Sequence, residues 1–311
     1  MRTIQRFMKE ALARVPVPIC GVALGVMGLA NICRIWSQEV AWVFCALSVF
    51  LLALYVSRCA LVRGSFRRDL GSPVTACVFG TFPMTVIFLA GHITGLGVAA
   101  DAVFILGSAI QLALIVYIAV YIIPRMRLSD VHACLFVPFV GIAAMGASGA
   151  SVGLQQAGEF GAVLGLVLSV PVLVAVAWRY FRLPDLAPAE APVFCILAAP
   201  FALCTVAISG SVPDSPIALR EVVYAAGLVL YMVVIVRVPS LMRAGFVPSK
   251  ASMGFPMTVS AVATHSMSVA LEGAVADILT VLFLVQVIVA VAVMAHILVG
   301  YIGFLRPAGS E

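Results

Sequence analysis

Charged residues are scarce in this sequence. Only 10% of its 311 residues are Asp, Glu, Lys or Arg, whereas 64% are hydrophobic, and the mean hydropathy is +1.19. A soluble domain is about half apolar and about a quarter charged. The composition therefore excludes a soluble globular protein and predicts an integral membrane protein without a sizeable soluble domain.

Motifs of the common enzyme classes are also lacking. The sequence has no G-x-x-x-x-G-K-[ST], no H-E-x-x-H and no G-x-G-x-x-G. Its G-x-S-x-G match around Ser151 ends an apolar helix, whereas a nucleophile elbow follows a strand. The eight cysteines include no C-x-x-C pair and mostly lie in apolar runs, which is typical of helix packing. We therefore predict no metal, no cofactor and no enzymatic activity.

Apolar runs predict the domain organisation. At roughly 30 residues for each span and its loop, the length allows about ten helices, and ten runs are present: 17–36, 40–57, 73–91, 97–123, 132–151, 158–178, 191–210, 218–236, 251–270 and 276–304. We predict a cytoplasmic or interfacial segment at 1–15, one ten-helix transmembrane domain at 16–305 and a cytoplasmic tail at 306–311.

The basic residues predict the orientation. They concentrate near both termini and in alternate connections, where they are Arg2, Arg6, Lys9, Arg14, Arg58, Arg63, Arg67, Arg68, Arg125, Arg127, Arg179, Arg182, Arg237, Arg243, Lys250 and Arg306. The other connections carry only Arg34 and Arg220. Cytoplasmic loops of membrane proteins carry an excess of Lys and Arg. Both termini are therefore predicted to be cytoplasmic in a cell (inner) membrane protein, and the net charge of +5 indicates topology rather than nucleic-acid binding.

The helices alternate in composition and repeat along the chain. Odd-numbered runs are rich in Gly, Ala, Pro, Thr and Ser, whereas even-numbered runs are rich in bulky apolar residues. Small residues permit close helix contact or line a cavity. Four prolines recur in odd runs at spacings near 60 residues: Pro83, Pro138, Pro200 and Pro256. The pattern predicts an all-α fold of five helical hairpins in a quasi-fivefold arrangement, with the odd helices forming an inner ring around a pore.

The predicted pore is uncharged. The odd helices carry no acidic or basic residue in their spans except Arg34, at the outer end of the first. We expect Thr85, Thr258 and carbonyls freed by the prolines to line the path. A neutral pore can select for ion sign through backbone dipoles, and a basic rim raises the local anion concentration. Small inorganic anions or small carboxylates are therefore the favoured solutes.

Several stretches resemble one membrane protein family. "VPVPICGVALGVMGLANICRIW", "GSPVTACVFGTFPMT", "ILAAPFALCTVAIS" and "GFPMTVSA" are similar, in order and spacing, to segments of the tellurite-resistance/dicarboxylate transporter family. This family includes the bacterial permease TehA and the slow-type anion channels of plant guard cells. The resemblance implies a homotrimer with one pore in each subunit. It also implies that Phe255, before Pro256, plugs the pore, and Phe82 in the other Phe-Pro-Met-Thr copy is a candidate second ring.

Three functions stay open at this point. The leading hypothesis is anion permeation through a pore gated by Phe255. The alternative is a secondary transporter for a C4-dicarboxylate, sulfite or a tellurite-related anion, for which His265 is the best titratable candidate on a pore helix. A membrane enzyme using Ser151, His265 or His296 is the weakest hypothesis, because the inner helices lack charge.

Overall fold

The computed structural model describes residues 11–306. The predicted interfacial segment 1–15 and tail 306–311 therefore lie largely outside the described residues. Within residues 11–306 the regular structure is helical and contains no strand, in agreement with the all-α prediction.

Ten helical elements coincide with the ten apolar runs in this part of the chain. In chain order they are α1 (Ile19–Cys33), α2 (Gln38–Leu61), α3 (Pro73–His92), α4 (Val98–Arg125), α5 (Ala133–Ser148), α6 (Gln155–Arg182), α7 (Ala191–Ser211), α8 (Ile217–Ile235), α9 (Gly254–Ala270) and α10 (Ala274–Leu305). Two short helices, Ser65–Gly71 and Val238–Arg243, lie in the connections.

The lengths of these elements differ. Seven helices in the described range are long and apolar enough to cross a membrane, and they are α2, α3, α4, α6, α7, α8 and α10. Helices α1 and α5 are apolar but shorter, and α9 has 17 residues. The three shorter helices are all odd-numbered, and the long uninterrupted helices are mainly the even-numbered ones.

Contacts between helices define an inner and an outer set. Each odd-numbered helix packs against the next odd-numbered one, and α9 packs against α1, so these five close into a ring. Each even-numbered helix packs against the odd-numbered helix before it. In the most apolar 18-residue stretch of each helix, 89% of the residues are buried in α7, against 22% in α8 and 33% in α10. Small residues therefore lie inside and bulky apolar residues face outward, as their composition predicts.

The four repeated prolines lie where α-helical segments begin. Pro200 is the first residue of Pro200–Ser211, and Pro83, Pro138 and Pro256 are each the third residue of their segments. Proline is tolerated in the first helical turn because its missing N–H would have no partner within that segment. In α3, α5 and α7 these segments begin partway along the longer helical element, so each proline lies beside an interruption within its element. A proline inside an uninterrupted helix does occur at Pro171, in the outer helix α6.

Arg34, the one charged residue expected in an odd helix, lies away from the centre of the ring. Its guanidinium donates to the Gly91 carbonyl at 2.9 Å, near the C-terminal end of α3. Arg220 similarly donates to the carbonyls of Val212 and Pro213, just after α7. A cation is favourable at a helix C-terminus because the carbonyls there lack helical partners. Both arginines are therefore accounted for by local capping.

Candidate functional site: a central cavity that ends at Phe255

A cavity lies within the ring formed by the odd-numbered helices. The volume open to the centres of water molecules is about 100 Å³, which is enough for several waters. Its walls come from all five odd elements, including the helical turn Pro248–Met253 that leads into α9. These residues belong to the N-terminal parts of the odd elements, so the cavity lies at the end of the ring that carries the arginine-rich connections.

Burial increases with depth in the cavity. At the mouth, Thr75, Ser249 and Ser252 are half-buried. Deeper in the ring, Leu24 and Leu203 are 1% and 2% exposed. The cavity is therefore accessible from the basic end and narrows toward the middle of the helices.

The cavity wall changes from 3-10 to α-helical winding. The turn Pro248–Met253 before α9 is a 3-10 helix, in which residues three apart lie directly above one another. Ser249, Ser252 and Phe255 follow this spacing and all line the cavity. The 3-10 segment Ala191–Ala198 of α7 likewise lines the cavity at every third residue. In these two 3-10 segments, one row of side chains three residues apart therefore faces the cavity.

Phe255 lies at the deep end of the cavity. It is 7% exposed, and its ring contacts that of Phe88 on α3, which is 5% exposed. The ring centroids are 5.9 Å apart and the planes are inclined by 52°, an aromatic pair that contributes about 0.5–1.5 kcal/mol beyond area burial. Two bulky side chains from facing helices therefore meet beneath an apolar cavity.

Sequence reasoning missed Phe88. The residue lies outside both Phe-Pro-Met-Thr copies. The available signal was helical periodicity, because Phe88 follows Thr81 and Met84 at intervals of three and four residues, and both of these line the cavity. Without knowing that the Thr81 face points inward, however, this periodicity does not identify Phe88.

The other predicted pore residues divide into two groups. Pro200 and Pro256 line the cavity, whereas Pro83 and Pro138 are buried but do not. The carbonyl of Pro138 instead accepts a hydrogen bond from Gln111 on α4 at 2.7 Å. Two of the four predicted prolines therefore lie at this cavity and two lie away from it.

The two predicted pore threonines do not face the cavity either. Both are fully buried, and each hydroxyl bonds to its own helix: Thr85 donates to the Thr81 carbonyl at 2.7 Å, and Thr258 to the Phe255 carbonyl at 3.0 Å. Their hydroxyls are satisfied by backbone and are not cavity ligands. Thr75 and Thr81 line the cavity instead.

Phe82 lies in a different environment from Phe255. Its ring stacks on Phe79 at 5.6 Å and lies 6.3 Å from Tyr55 of α2. It is not among the residues that line the cavity. Phe82 therefore lies away from this cavity, and the aromatic ring beside Phe255 is that of Phe88.

His265 lies between α9 and α10. Its ring is 4.9 Å from that of Phe283 on α10 and does not line the cavity. His296 faces Lys250 near the basic end, and Ser151 lies in a turn after α5. These three residues do not come together, so the described residues provide no shared site for the enzymatic hypothesis.

The cavity lining carries no formal charge. Within the described range, none of its lining residues is Asp, Glu, Lys, Arg or His, and its hydroxyl groups come from Thr75, Thr81, Ser249 and Ser252. No cluster of three or more His, Cys, Asp or Glu that could hold a metal was found in the same part of the chain. The cavity can therefore exclude water or admit a solute, but it offers no acid–base pair.

Charge is concentrated around the basic end. Arg58 forms a buried ion pair with Asp69 at 2.6 Å, and Tyr55 donates to the same carboxylate at 3.0 Å. His132, which is 3% exposed, lies 3.7 Å from Glu190. Burial lowers the pKa of His132, and this effect exceeds the opposing attraction of Glu190. These ion pairs lie in or next to the connections that surround the cavity mouth.

Together, the apolar outer surface, the ring of small-residue helices and the uncharged central cavity define a multi-pass helical membrane protein. Comparison with known families identifies which class this is. The family model described as voltage-dependent anion channel (SLAC1) matches residues 14–299, nearly the whole chain. The protein therefore belongs to this family, whose members transport anions. A search of curated proteins found no significant match.

Proposed function

We propose that the protein conducts small anions through a pore along the axis of the helical ring, and that Phe255 is the gate. The observation that carries this proposal is the position of Phe255 at the deep end of the cavity, against Phe88. A hydrophobic constriction can close a pore by excluding water. Rotation of one phenylalanine into the neighbouring free volume would open it.

The charge distribution supports anions as the solute. The cavity lining is uncharged, and the connections at its mouth carry an excess of arginine. A basic rim around a low-dielectric path raises the local concentration of anions. Because the lining has few polar groups, the cost of removing water from the ion determines which anions pass, and weakly hydrated anions are favoured.

The proposed membrane arrangement follows from the same elements. We propose that α1–α10 all cross the membrane as five hairpins in a quasi-fivefold ring, with both termini cytoplasmic in a cell membrane. The shorter odd helices reach sufficient length when the turns before them are included. The homotrimer is proposed from the family resemblance alone.

A coupled transporter is less well supported than a channel. Coupling to protons needs a titratable group on the solute path, but His265 packs against Phe283 instead. The finer substrate assignments, to a C4-dicarboxylate, sulfite or a tellurite-related anion, therefore stay alternatives that an anion panel can separate.

The test is Phe255→Ala in purified protein reconstituted into planar bilayers. We expect anion current to rise about tenfold or more, because the side chain that fills the constriction is removed. Reversal potentials under gradients of chloride, nitrate, sulfite and a C4-dicarboxylate would rank the permeant ions. Phe82→Ala is the matched control, because it truncates the same residue in the same four-letter motif but away from the cavity.

The two variants are expected to differ in their effect on anion current. Phe82→Ala should lower thermal stability without raising current, since large-to-small changes at packed phenylalanines cost about 3–5 kcal/mol. Unchanged current in a stably folded Phe255→Ala protein would exclude the gate role, and cation-selective current would exclude the proposed function.

A further inference from the structure

Lys250 is a buried cation beside the cavity. It lies in the 3-10 turn that leads into α9, and only 1% of it is exposed. Its Nζ donates to the carbonyls of Met242 and Ala244, at 3.2 and 2.8 Å. The same nitrogen lies 3.2 Å from Nε2 of His296 on α10. The lysine therefore links three separate segments of the chain at the basic end.

These contacts fit a charged ammonium. An ammonium has three donors and no acceptor, and three acceptors surround Nζ when His296 carries its proton on Nδ1. Burial disfavours the charged form of the amine, whereas hydrogen bonds to carbonyl oxygens favour it. The ion pairs found among the described residues join Arg58 to Asp69 and His132 to Glu190, so neither supplies a carboxylate to Lys250. Within the described residues, no ion pair therefore neutralises the charge of Lys250.

The position of Lys250 relates this charge to the cavity. Its neighbours Ser249, Ala251 and Ser252 line the cavity, whereas Lys250 is on the far side of the same turn. One helix with its side chains is about 10 Å across. At that distance and an effective dielectric constant of about 20, Coulomb's law gives roughly a tenfold effect on the occupancy of a monovalent ion.

We propose that Lys250 determines the anion selectivity of the cavity mouth, by holding a buried positive charge behind the wall formed by Ser249 and Ser252. This inference rests on the proposed channel function. It differs from the general effect of the basic rim, because exposed arginines are screened by salt whereas a buried charge is screened much less. The selectivity due to Lys250 should therefore persist at high ionic strength.

The experiment adds Lys250→Met to the Phe255→Ala protein and measures anion-over-cation permeability ratios in bilayers at about 0.1 M and about 1 M salt. We expect Lys250→Met to lower the ratio roughly tenfold at both concentrations. Arg243→Met is the matched control, because Arg243 is an exposed cation at the end of the neighbouring short helix. Its effect should be smaller and should disappear at 1 M salt.

A second variant protects the test against misfolding of Lys250→Met. His296→Glu keeps the lysine and places a carboxylate beside it, so the local charge is neutralised without emptying the site. We expect the same loss of selectivity from this change. A ratio that stays at the Phe255→Ala value in either folded variant would overturn the proposal for Lys250. Absence of anion current in Phe255→Ala itself would instead count against the proposed function.

Discussion

The packing of α1 against α9 allows a sharp prediction for Gly28. A Cβ atom added at Gly28 would lie 2.0 Å from Oγ1 and 2.6 Å from Cβ of Thr258. Both distances are far below ordinary contact, so Gly28→Ala requires the two helices to separate by roughly 1 Å. The glycine is therefore needed for close approach rather than for its backbone conformation.

Thr258 has little freedom to avoid the clash. It is β-branched and fully buried, and its hydroxyl donates to the Phe255 carbonyl at 3.0 Å. Overpacking of this kind costs about 1–3 kcal/mol, and the better helix propensity of alanine offsets about 1 kcal/mol of that. We expect Gly28→Ala to destabilise the fold by up to about 2 kcal/mol and to displace the turn that carries Phe255.

Thermal unfolding in detergent, followed by tryptophan fluorescence, would measure the effect as a fall in Tm. Gly303→Ala is the matched control, because an added Cβ meets nothing within 4 Å at that position of α10. Its Tm should be unchanged or higher. Thr258→Ala removes the closest atom and should recover part of the stability lost in Gly28→Ala. Equal Tm values for the wild type and Gly28→Ala, or additive losses in the double variant, would refute this account of the interface.

Two further predictions concern buried polar groups. Gln111→Leu leaves two carbonyls of α5 without their donor, so it should lower the stability of the fold by about 1–2 kcal/mol. Gln286→Leu should cost less, because the Gln286 amide lacks a partner among the described residues. Equal losses of Tm in the two variants would contradict the stabilising role of the Gln111 hydrogen bonds. His132 has a pKa lowered by burial, so the unfolded state binds its proton more tightly and stability should fall as pH drops below about 6.5. Comparing Tm at several pH values in the wild type and His132→Gln tests this, because the variant should lack that part of the pH dependence.

The sequence predicted which helices lie inside the ring. The small residues of α7 and the bulky residues of α8 differ in composition, and their burial differs in the same sense. Gly21 of α1 lies against Ala251, and Gly25 lies against Met294 and Gly254. The burial of each helix follows its composition because small residues along one helix let another helix approach closely.

Side-chain direction within the inner helices was harder to predict. Phe-Pro-Met-Thr occurs in both α3 and α9, yet Phe255 lines the cavity whereas Phe82 packs toward α2. Four identical letters predict the same local helix, but they do not determine its rotation about its own axis. That rotation depends on the backbone before the motif, which differs between the two copies.

The cavity-lining pattern shows where the rotation is set. In α3 the lining residues Thr75, Val78 and Thr81 recur at every third position, and Ser249, Ser252 and Phe255 do the same at α9. When the two Phe-Pro-Met-Thr copies are superposed, Phe255 aligns with Phe82, so the two lining patterns differ by one residue at all three levels. The offset is therefore present already at the cavity mouth, in the backbone before Thr75 and Ser249. The 3-10 turn Pro248–Met253 keeps residues three apart in line, so the orientation of Phe255 follows from that of Ser249 at the mouth.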